Sequence, residues 1–324
     1  MLIKYILKRI IILIPVLIGI SILLFIITKM MPGDPVRMMI EPGLRPDLYQ
    51  QQYDILFKKL GYDRPLYEQY FRWMINMFQG DLGWSTYYNR PVVNCIAEPL
   101  KNSIILNACI IFFYLIVALP VGIRMAVKRG SLFDNSWQVF SLATFSIPSF
   151  FLGLTLIFIF SINLGWLPFG GMPNSALLEG RDLTVAWIRT LVLPVTTLTI
   201  ISLAGGIRYV RNAMIDALSQ DYIRTARSKG LSEKVVIYSH AFRNALIPIS
   251  TIVVGVVFSL FGGSAITESV FVYNGIGRLI VQAAIARDSA MVVSMNLIFS
   301  MISVISILVA DIVYGLVDPR IKLK

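Results

Sequence analysis

The most chemically distinctive segment of this 324-residue chain is a short charged stretch, D-Y-I-R-T-A-R-S-K-G, from Asp221 to Gly230. Asp221 is suited to cap the start of a helix, and Gly230 can adopt the left-handed conformation that ends one. Arg227 and Lys229 lie where the helix dipole favours cations. A helix this short is marginal in water, so we expect it to dock against a surface. The segment therefore predicts a protein-binding site, and we call Asp221–Gly230 the handle because a partner protein could move the chain through it.

The composition places this handle in a membrane protein. Apolar residues make up 56% of the chain and charged residues only 15%, whereas soluble domains average about 25% charged residues. Six charge-free runs are long enough to cross a bilayer, which takes about 20 apolar residues. The runs cover residues 10–28, 102–123, 135–178, 190–207, 244–267 and 289–310. The longest run is counted once, because its Pro and Gly residues from Gly165 onward indicate a loop. We therefore predict an all-α polytopic membrane protein with six transmembrane helices.

The positions of Lys and Arg predict the orientation. Outside the long segment 31–101, whose length exempts it from the positive-inside rule, most cations fall in segments on one side of the membrane. The loop 208–245 is the richest of these segments, and Arg320, Lys322 and Lys324 belong to the last one. We predict that this side is the cytosol and that both termini lie there. The net charge of +11 is thereby explained by topology rather than by nucleic-acid binding.

Three parts follow from this topology. Residues 1–30 are the inner N-terminus and first transmembrane helix, residues 31–101 an extracytoplasmic helical cap, and residues 102–324 the membrane core. The later transmembrane helices are expected at about 102–123, 137–163, 189–207, 246–267 and 290–316, with the loop 208–245 between the fourth and fifth. In the cap, helical spacings end at Gly61 and Gly80. The aromatic-rich cap is interpreted either as a docking surface for an extracytoplasmic partner or as packing on the outer ends of the helices.

Signals for catalysis are weak. The chain contains no Gly-Lys dipeptide, so the G-x-x-x-x-G-K-[ST] phosphate loop that ATPases use is missing, and we predict no catalytic residues. Cys95, Cys109 and His240 are interpreted as packing or solvated side chains rather than as metal ligands. The polar residues in the middle of the predicted spans are Ser141, Thr144, Ser146, Ser259, Ser264, Ser294 and Asn296. They are weak candidates for lining a path through the membrane, and hydrogen bonding between helices explains each of them at least as well.

Eleven short sequence patches, each present once, are spread along almost the whole chain. They are M-P-G-D-P at 31–35, G-Y-D-R-P-L at 61–66, G-D-L-G-W-S at 80–85, S-I-P-S-F-F-L-G at 146–153, L-G-W-L-P at 164–168, D-Y-I-R-T-A-R-S-K-G-L-S-E at 221–233, R-N-A-L-I-P at 243–248, E-S-V-F at 268–271, G-I-G-R-L at 275–279, A-R-D at 286–288 and D-P-R-I at 318–321. In these patches the chain resembles the permease subunits of binding-protein-dependent ABC importers, specifically the oligopeptide, dipeptide and nickel branch. Each patch alone is weak, but their order and spacing together are specific.

The resemblance implies the type I importer permease fold and a cytosolic coupling helix, the EAA motif, that inserts into an ATPase subunit. The residues that match it are Asp221, Tyr222, Ile223, Arg224, Thr225, Ala226, Arg227, Ser228, Lys229 and Gly230. By analogy, Tyr222, Ile223, Thr225 and Ala226 make apolar contacts, Arg224 and Arg227 make polar ones, and Gly230 forms the turn. Arg-Thr-Ala stands where Glu-Ala-Ala is usual, a form typical of the peptide branch.

The resemblance also implies partners and a location. The partners are a second homologous permease, two ATP-binding subunits that hold ATP and Mg²⁺, and an extracytoplasmic substrate-binding protein. Peptides are the expected cargo, with no cofactor in this chain, and the site is a bacterial or archaeal cytoplasmic membrane. The alternatives are a nickel or other small-solute importer of the same branch, an ion-coupled secondary transporter, and a scaffold or receptor without transport. Ion-coupled transporters usually place ionisable residues mid-membrane, but the only clear intramembrane acid of this sequence is Asp311, close to the cytosolic end of the last helix.

Overall fold

The computed structural model describes residues 2–30, 34–38, 40, 43–174 and 176–317. The first three residues of the patch at 31–35 and the whole patch at 318–321 lie outside this range, as do the inner cations Arg320, Lys322 and Lys324. Within it, the chain is almost entirely helical, with one two-stranded hairpin.

The outer cap consists of short helices that follow the long first helix. The elements are α1 (Leu2–Met30), α2 (Pro35–Met38), α3 (Pro46–Lys59) and α4 (Leu66–Phe78). Gly61 and Gly80 follow α3 and α4 with φ of +75° and +84°, a left-handed conformation that glycine adopts without steric cost. The helix stops expected at these two glycines are therefore present.

The cap packs against the C-terminal half of α1. Tyr70 of α4 shares a hydrogen bond of 2.7 Å with Ser21, and its ring meets Phe25 edge-on with centroids 5.5 Å apart. Trp73 lies beside the same phenylalanine, with centroids 5.9 Å apart. Lys29 lies 4.3 Å from the centre of the Tyr62 ring. The packing interpretation of the aromatic cap is thus observed.

The membrane core follows a short antiparallel hairpin, β1 (Trp84–Ser85) and β2 (Arg90–Pro91). Its helices are α5 (Val92–Val127), α6 (Leu132–Ser146), α7 (Ser149–Leu156) with a π-helical continuation to Asn163, α8 (Gly180–Leu218), α9 (Asp221–Ser228), α10 (Glu233–Val235) with a π-helical continuation to Phe242, α11 (Arg243–Phe258), α12 (Ala265–Val270), α13 (Ile276–Ile285) and α14 (Ser289–Val317).

Helices α5 and α8 form the centre of this core, and small residues bring them together. A Cβ on Gly206 would lie 2.3 Å from the Tyr114 ring, and one on Gly122 would lie 2.7 Å from Val210. These glycines therefore permit an approach that any side chain would prevent.

The expected count of six transmembrane helices is not confirmed. Four helices of the described residues are long and apolar enough to cross a membrane, namely residues 9–30 of α1, α5, α8 and residues 289–312 of α14. A fifth span exists only if α6 and the segment Ser149–Asn163 are counted together, and these are bent by 100°. The bend occurs at Ile147, which is extended (φ −89°, ψ 123°) because the following Pro148 disfavours a helical residue before it.

The predicted fifth helix, residues 246–267, is interrupted. Helix α11 ends at Phe258, a single 3₁₀ turn covers Ser259–Phe261, and Gly262 is extended with ψ of 134°. A Cβ on Gly263 would lie 2.1 Å from the backbone nitrogen of Gly277. A continuous helix through this point would not allow the chain to pass so closely over the start of α13.

Candidate functional site

Helix α9 forms the predicted handle, with one difference at its start. Gln220, in an extended conformation, precedes the helix, and Asp221 is its first helical residue rather than its cap. The carboxylate still lies in the first turn, where the helix dipole favours an anion. At the other end Gly230 has a φ of +77°, and its N–H donates to the Arg227 carbonyl at 2.9 Å. The glycine turn is therefore as expected.

One face of α9 is buried against its own chain. Ile223 is fully buried and Ala226 is 5% exposed, in an apolar cluster that includes Met214 of α8 and Val236 and Ala241 of the following π-helical segment. Residues three apart share a helix face, so both side chains anchor α9 to the helical core of its own chain. Ile223 thus offers no surface and Ala226 very little, so the predicted contact of these two residues with an ATPase stays a prediction that needs α9 to shift from this position.

The opposite face of α9 is polar and exposed. The Arg224 side chain is 81% exposed and lies 3.7 Å from the Asp221 carboxylate. Thr225 donates from its hydroxyl to the Asp221 carbonyl at 3.1 Å. Tyr222 is partly exposed, and Ser228 and Lys229 are exposed. Because Arg224 is so exposed and has only a weak contact within its own chain, its guanidinium group is available to bind a partner protein.

Arg227 joins α9 to the next helix. Its Nε donates to Glu233 Oε1 at 2.8 Å and its Nη2 to Oε2 at 3.2 Å. The hydrogen bond from Arg227 lowers the pKa of Glu233 below its ordinary value, and the same bond raises the pKa of Arg227. This bidentate pair closes over the Gly230 turn and fixes the angle between the two helices.

A buried ion pair joins α6 and α8, and it was not predicted from the sequence. Arg211 of α8 donates from Nε to Asp134 Oδ1 at 2.6 Å and from Nη2 to Oδ2 at 2.8 Å. The Gly130 N–H adds a third bond at 2.9 Å. Ser131 caps α6 by accepting from the Asp134 N–H. That S-x-x-D spacing marks a helix start, but nothing in the sequence pairs Asp134 with a residue 77 positions away.

Another part of the core contains a buried carboxylate, Glu268 of α12, which is 0% exposed. It accepts from the Ser103 hydroxyl at 2.9 Å, from the Ser264 N–H at 3.2 Å and from the Arg278 N–H at 2.9 Å. Arg278 lies in the first turn of α13, so the carboxylate also meets the positive end of that helix. Glu268 therefore ties α5, α12 and α13 together.

A second buried carboxylate, Asp288, is built in the same way. It accepts from the Ser85 hydroxyl and from the Tyr87 N–H at 3.2 Å, and its other oxygen accepts from the Met291 N–H in the first turn of α14 at 3.1 Å. Ser294 donates to the Leu82 carbonyl at 2.7 Å nearby. The hairpin is thereby fastened to the start of α14.

Replacing Glu268 by Gln tests the first of these networks. The new amide NH₂ replaces an acceptor that faces N–H and O–H donors, so at least one of them loses its partner, at about 1–3 kcal/mol for a buried group. We expect a lower thermal unfolding midpoint for the purified protein in detergent. Glu98→Gln, at an exposed position of α5, is the control and should leave the midpoint unchanged. Equal midpoints for both variants would contradict a tying role.

The structure does not gather the predicted path residues at one place. Ser141, Thr144 and Ser294 are buried, whereas Ser146 and Ser259 are exposed and Ser264 and Asn296 are half-buried. The Ser141 hydroxyl has no hydrogen-bond partner among the described residues. Asn296 donates to the carbonyl of Val292, one turn earlier on its own helix. As a set these residues do not define a channel in the single chain.

A cleft of about 1420 Å³ lies beside the handle. It is lined by α8, α9, the π-helical segment and α11, with Tyr222, Asp216, His240 and Arg243 among its side chains. The partly exposed Tyr222 ring thus borders an open recess whose mostly apolar lining also carries charged side chains. His240 belongs to this recess rather than to a buried core.

Comparison with known proteins connects this arrangement to a family. Residues 118–323 match the model of the binding-protein-dependent transport system inner membrane component, and residues 1–112 match the model of the N-terminal part of such membrane components. The oligopeptide transport system permease protein AppB of Bacillus subtilis is 38% identical, over 98% of this chain and 99% of its own length. The di/tripeptide transport system permease protein DppB of Pseudomonas aeruginosa is 35% identical, over 98% of both chains.

The fold has a counterpart among solved structures. A chain from inward-facing conformations of the MetNI methionine ABC transporter superimposes with a TM-score of 0.53 at 18% identity, covering 70% of this chain and 97% of its own. The all-α architecture is therefore that of a type I importer permease. Family models span nearly the whole sequence, and relatives above 30% identity align end to end. The chain belongs to the family of binding-protein-dependent transport system inner membrane components.

Proposed function

We propose that this chain is a permease subunit of an ATP-driven ABC importer that moves peptides from an extracytoplasmic binding protein into the cytoplasm. The observation that carries the proposal is the end-to-end similarity to permeases named for oligopeptides and di/tripeptides. These names favour peptides over nickel or another small solute. An ion-coupled mechanism is disfavoured because such transporters place ionisable residues mid-membrane, whereas Asp311 lies close to one end of α14, where it pairs with Arg9 at 3.0 Å.

The partners follow from the same proposal. Two ATP-binding subunits bind ATP and Mg²⁺, because this chain has no phosphate loop and needs no cofactor of its own. A second homologous permease pairs with it to complete the path, and a binding protein delivers cargo to the outer face, where the cap and hairpin lie. The N- and C-termini and α9 face the cytosol of a bacterial or archaeal cell.

Coupling runs through the contacts around α9. When the ATPases close, they move the exposed face of α9, with Tyr222 and Arg224 as contacts. Ile223 and Ala226 transfer that movement to α8, and the Arg227–Glu233 pair transfers it to the segment that continues into α11. The Asp134–Arg211 pair then couples α8 to α6. A largely rigid-body rotation of these helices would switch access from the outer to the inner face.

Reconstitution tests the proposal. The chain is co-expressed with its neighbouring partner subunits, placed in liposomes with internal ATP, and supplied with binding protein loaded with a labelled peptide. We expect ATP-dependent accumulation of peptide, and none when Mg²⁺ is removed. A nickel chelate serves as the competing cargo. Uptake of the chelate without uptake of any peptide would overturn the cargo assignment, and uptake driven by an ion gradient without ATP would overturn the transporter class.

A further inference from the structure

The interruption after α11, a single 3₁₀ turn followed by the extended Gly262, is irregular backbone at membrane depth. Under the orientation proposed above, Arg124 of α5 and Arg243 of α11 are the inner charges from which its depth is counted. Asn107 lies 17 residues from Arg124 along α5, and Ser259 lies 16 residues from Arg243 along α11. At 1.5 Å per residue, both lie about 25 Å from the inner charges. Lys101 lies roughly 9 Å further out than Asn107, so the interruption falls within the outer part of a hydrocarbon core about 30 Å thick.

Asn107 holds this interruption in place. Its amide nitrogen donates to the Ser259 carbonyl at 3.1 Å and to the Gly262 carbonyl at 2.7 Å. These are carbonyls that a continuous α11 would have used within the helix. Ser259 donates from its hydroxyl to the Val256 carbonyl at 2.6 Å. The irregular turn is therefore held by a residue of another helix, α5, and does not depend on the sequence of α11 alone.

The turn is open to its surroundings. Ser259 and Gly262 are both exposed in the single chain. Irregular backbone at membrane depth is tolerated where it is buried in protein or lines water, and not where it faces lipid. By contrast, Ile116 of α5, which is 53% exposed, presents an apolar side chain. Nine residues separate it from Asn107, which places the two on opposite sides of the helix.

We propose that the turn Ser259–Gly262 lines the aqueous path of the assembled importer and contacts the backbone of a passing peptide. The Ser259 carbonyl already accepts from Asn107 and, at 3.1 Å, from the Gly262 N–H. The Gly262 carbonyl accepts from Asn107, and its second lone pair can accept from a peptide N–H. The Ser259 hydroxyl, which donates its proton to the Val256 carbonyl, can also accept. Backbone contacts of this kind suit a cargo whose side chains vary. Asn107 is the positioning residue of this site and Ser259 its contact residue. The inference rests on the proposed peptide cargo.

Thiol labelling tests this placement. In a chain with Cys95→Ala and Cys109→Ala, Ser259→Cys replaces one small side chain by another, and Ile116→Cys is the lipid-facing control. Both are reconstituted with the partner subunits and treated with a membrane-impermeant cationic methanethiosulfonate. We expect Ser259→Cys to react at least about tenfold faster, because the reactive thiolate is suppressed in apolar surroundings. Cycling with peptide-loaded binding protein and ATP should slow that reaction.

The outcomes separate this inference from the proposed function. Equal rates for Ser259→Cys and Ile116→Cys would overturn the water-lined turn and would indicate that the partner permease or lipid covers it. Fast labelling that peptide cycling leaves unchanged, in a complex that takes up peptide, would overturn the cargo contact. If the wild-type complex takes up no peptide, the cargo assignment fails, whereas fast labelling of Ser259→Cys alone still supports the aqueous path.

Discussion

Replacing Arg224 by Glu leaves the chain folded in the membrane but abolishes ATP-driven uptake. The side chain is 81% exposed and its one ion-pair contact is at 3.7 Å, so its removal costs the fold no more than about 0.5 kcal/mol. In an interface with an ATPase, however, loss of a charge pair costs about 2–5 kcal/mol, which weakens assembly by roughly 30-fold or more. The measurement is the amount of ATPase that co-purifies with the tagged chain, together with peptide uptake.

Arg129→Glu is the matched control for this variant. Arg129 is also exposed, lies on the proposed cytosolic side in the loop before α6, and undergoes the same change of charge. We expect normal co-purification and uptake from it. If Arg129→Glu lost the ATPases as completely as Arg224→Glu, the effect would come from the net charge of the inner face. If Arg224→Glu retained them, the exposed face of α9 would not be the coupling surface.

The sequence was sufficient for the features that depend on local signals. The apolar runs gave the all-α membrane class. The turns at Gly61, Gly80 and Gly230 followed from the freedom of glycine at positive φ. The order of short patches gave the family because it needs no knowledge of contacts. Each of these signals is contained within a few neighbouring residues.

The sequence was not sufficient where two distant segments determine the outcome. Ile223 and Ala226 share an apolar face of α9, but whether that face meets a partner or the same chain depends on where Met214 and Val236 lie in space. Glu268 directly follows an uncharged run and showed no sign of its bonds to Ser103 and Arg278.

The two interrupted helices show the same limit within the membrane. Residues 137–163 and 246–267 have the composition of continuous spans, and hydropathy does not register backbone breaks. Pro148 gave a local reason for the first break, since a proline restricts the residue before it. The second break depends on Asn107, a polar residue on another helix that donates to the Ser259 and Gly262 carbonyls. A polar residue inside a predicted span is the local sign of such a contact, but it does not tell which distant segment is contacted.

We expect substitution of the buried pair Asp134–Arg211 to destabilise the chain strongly. The Asp134 side chain is 1% exposed and that of Arg211 15%, with a contact of 2.6 Å. Removing one partner of a buried pair leaves the other charge uncompensated and costs about 3–5 kcal/mol. Arg211→Ala is therefore expected to lower the thermal unfolding midpoint in detergent and to lose assembled transporter. Arg64→Ala, which breaks an exposed pair in the cap, should cost only about 0.3–0.5 kcal/mol.

The double variant Asp134→Leu with Arg211→Met tests whether transport needs the two charges themselves or only the link between α6 and α8. Two apolar side chains of similar size remove the uncompensated charge, and such replacements of buried pairs are often neutral or stabilising. We expect the unfolding midpoint to return to the wild-type value or above it. Uptake should return with it, because the pair serves the transporter by joining α6 to α8 and not by titrating. Recovery of the midpoint without uptake would mean that the charges themselves act in the transport cycle. A double variant as unstable as Arg211→Ala would mean that packing at this position, rather than the ion pair, limits stability.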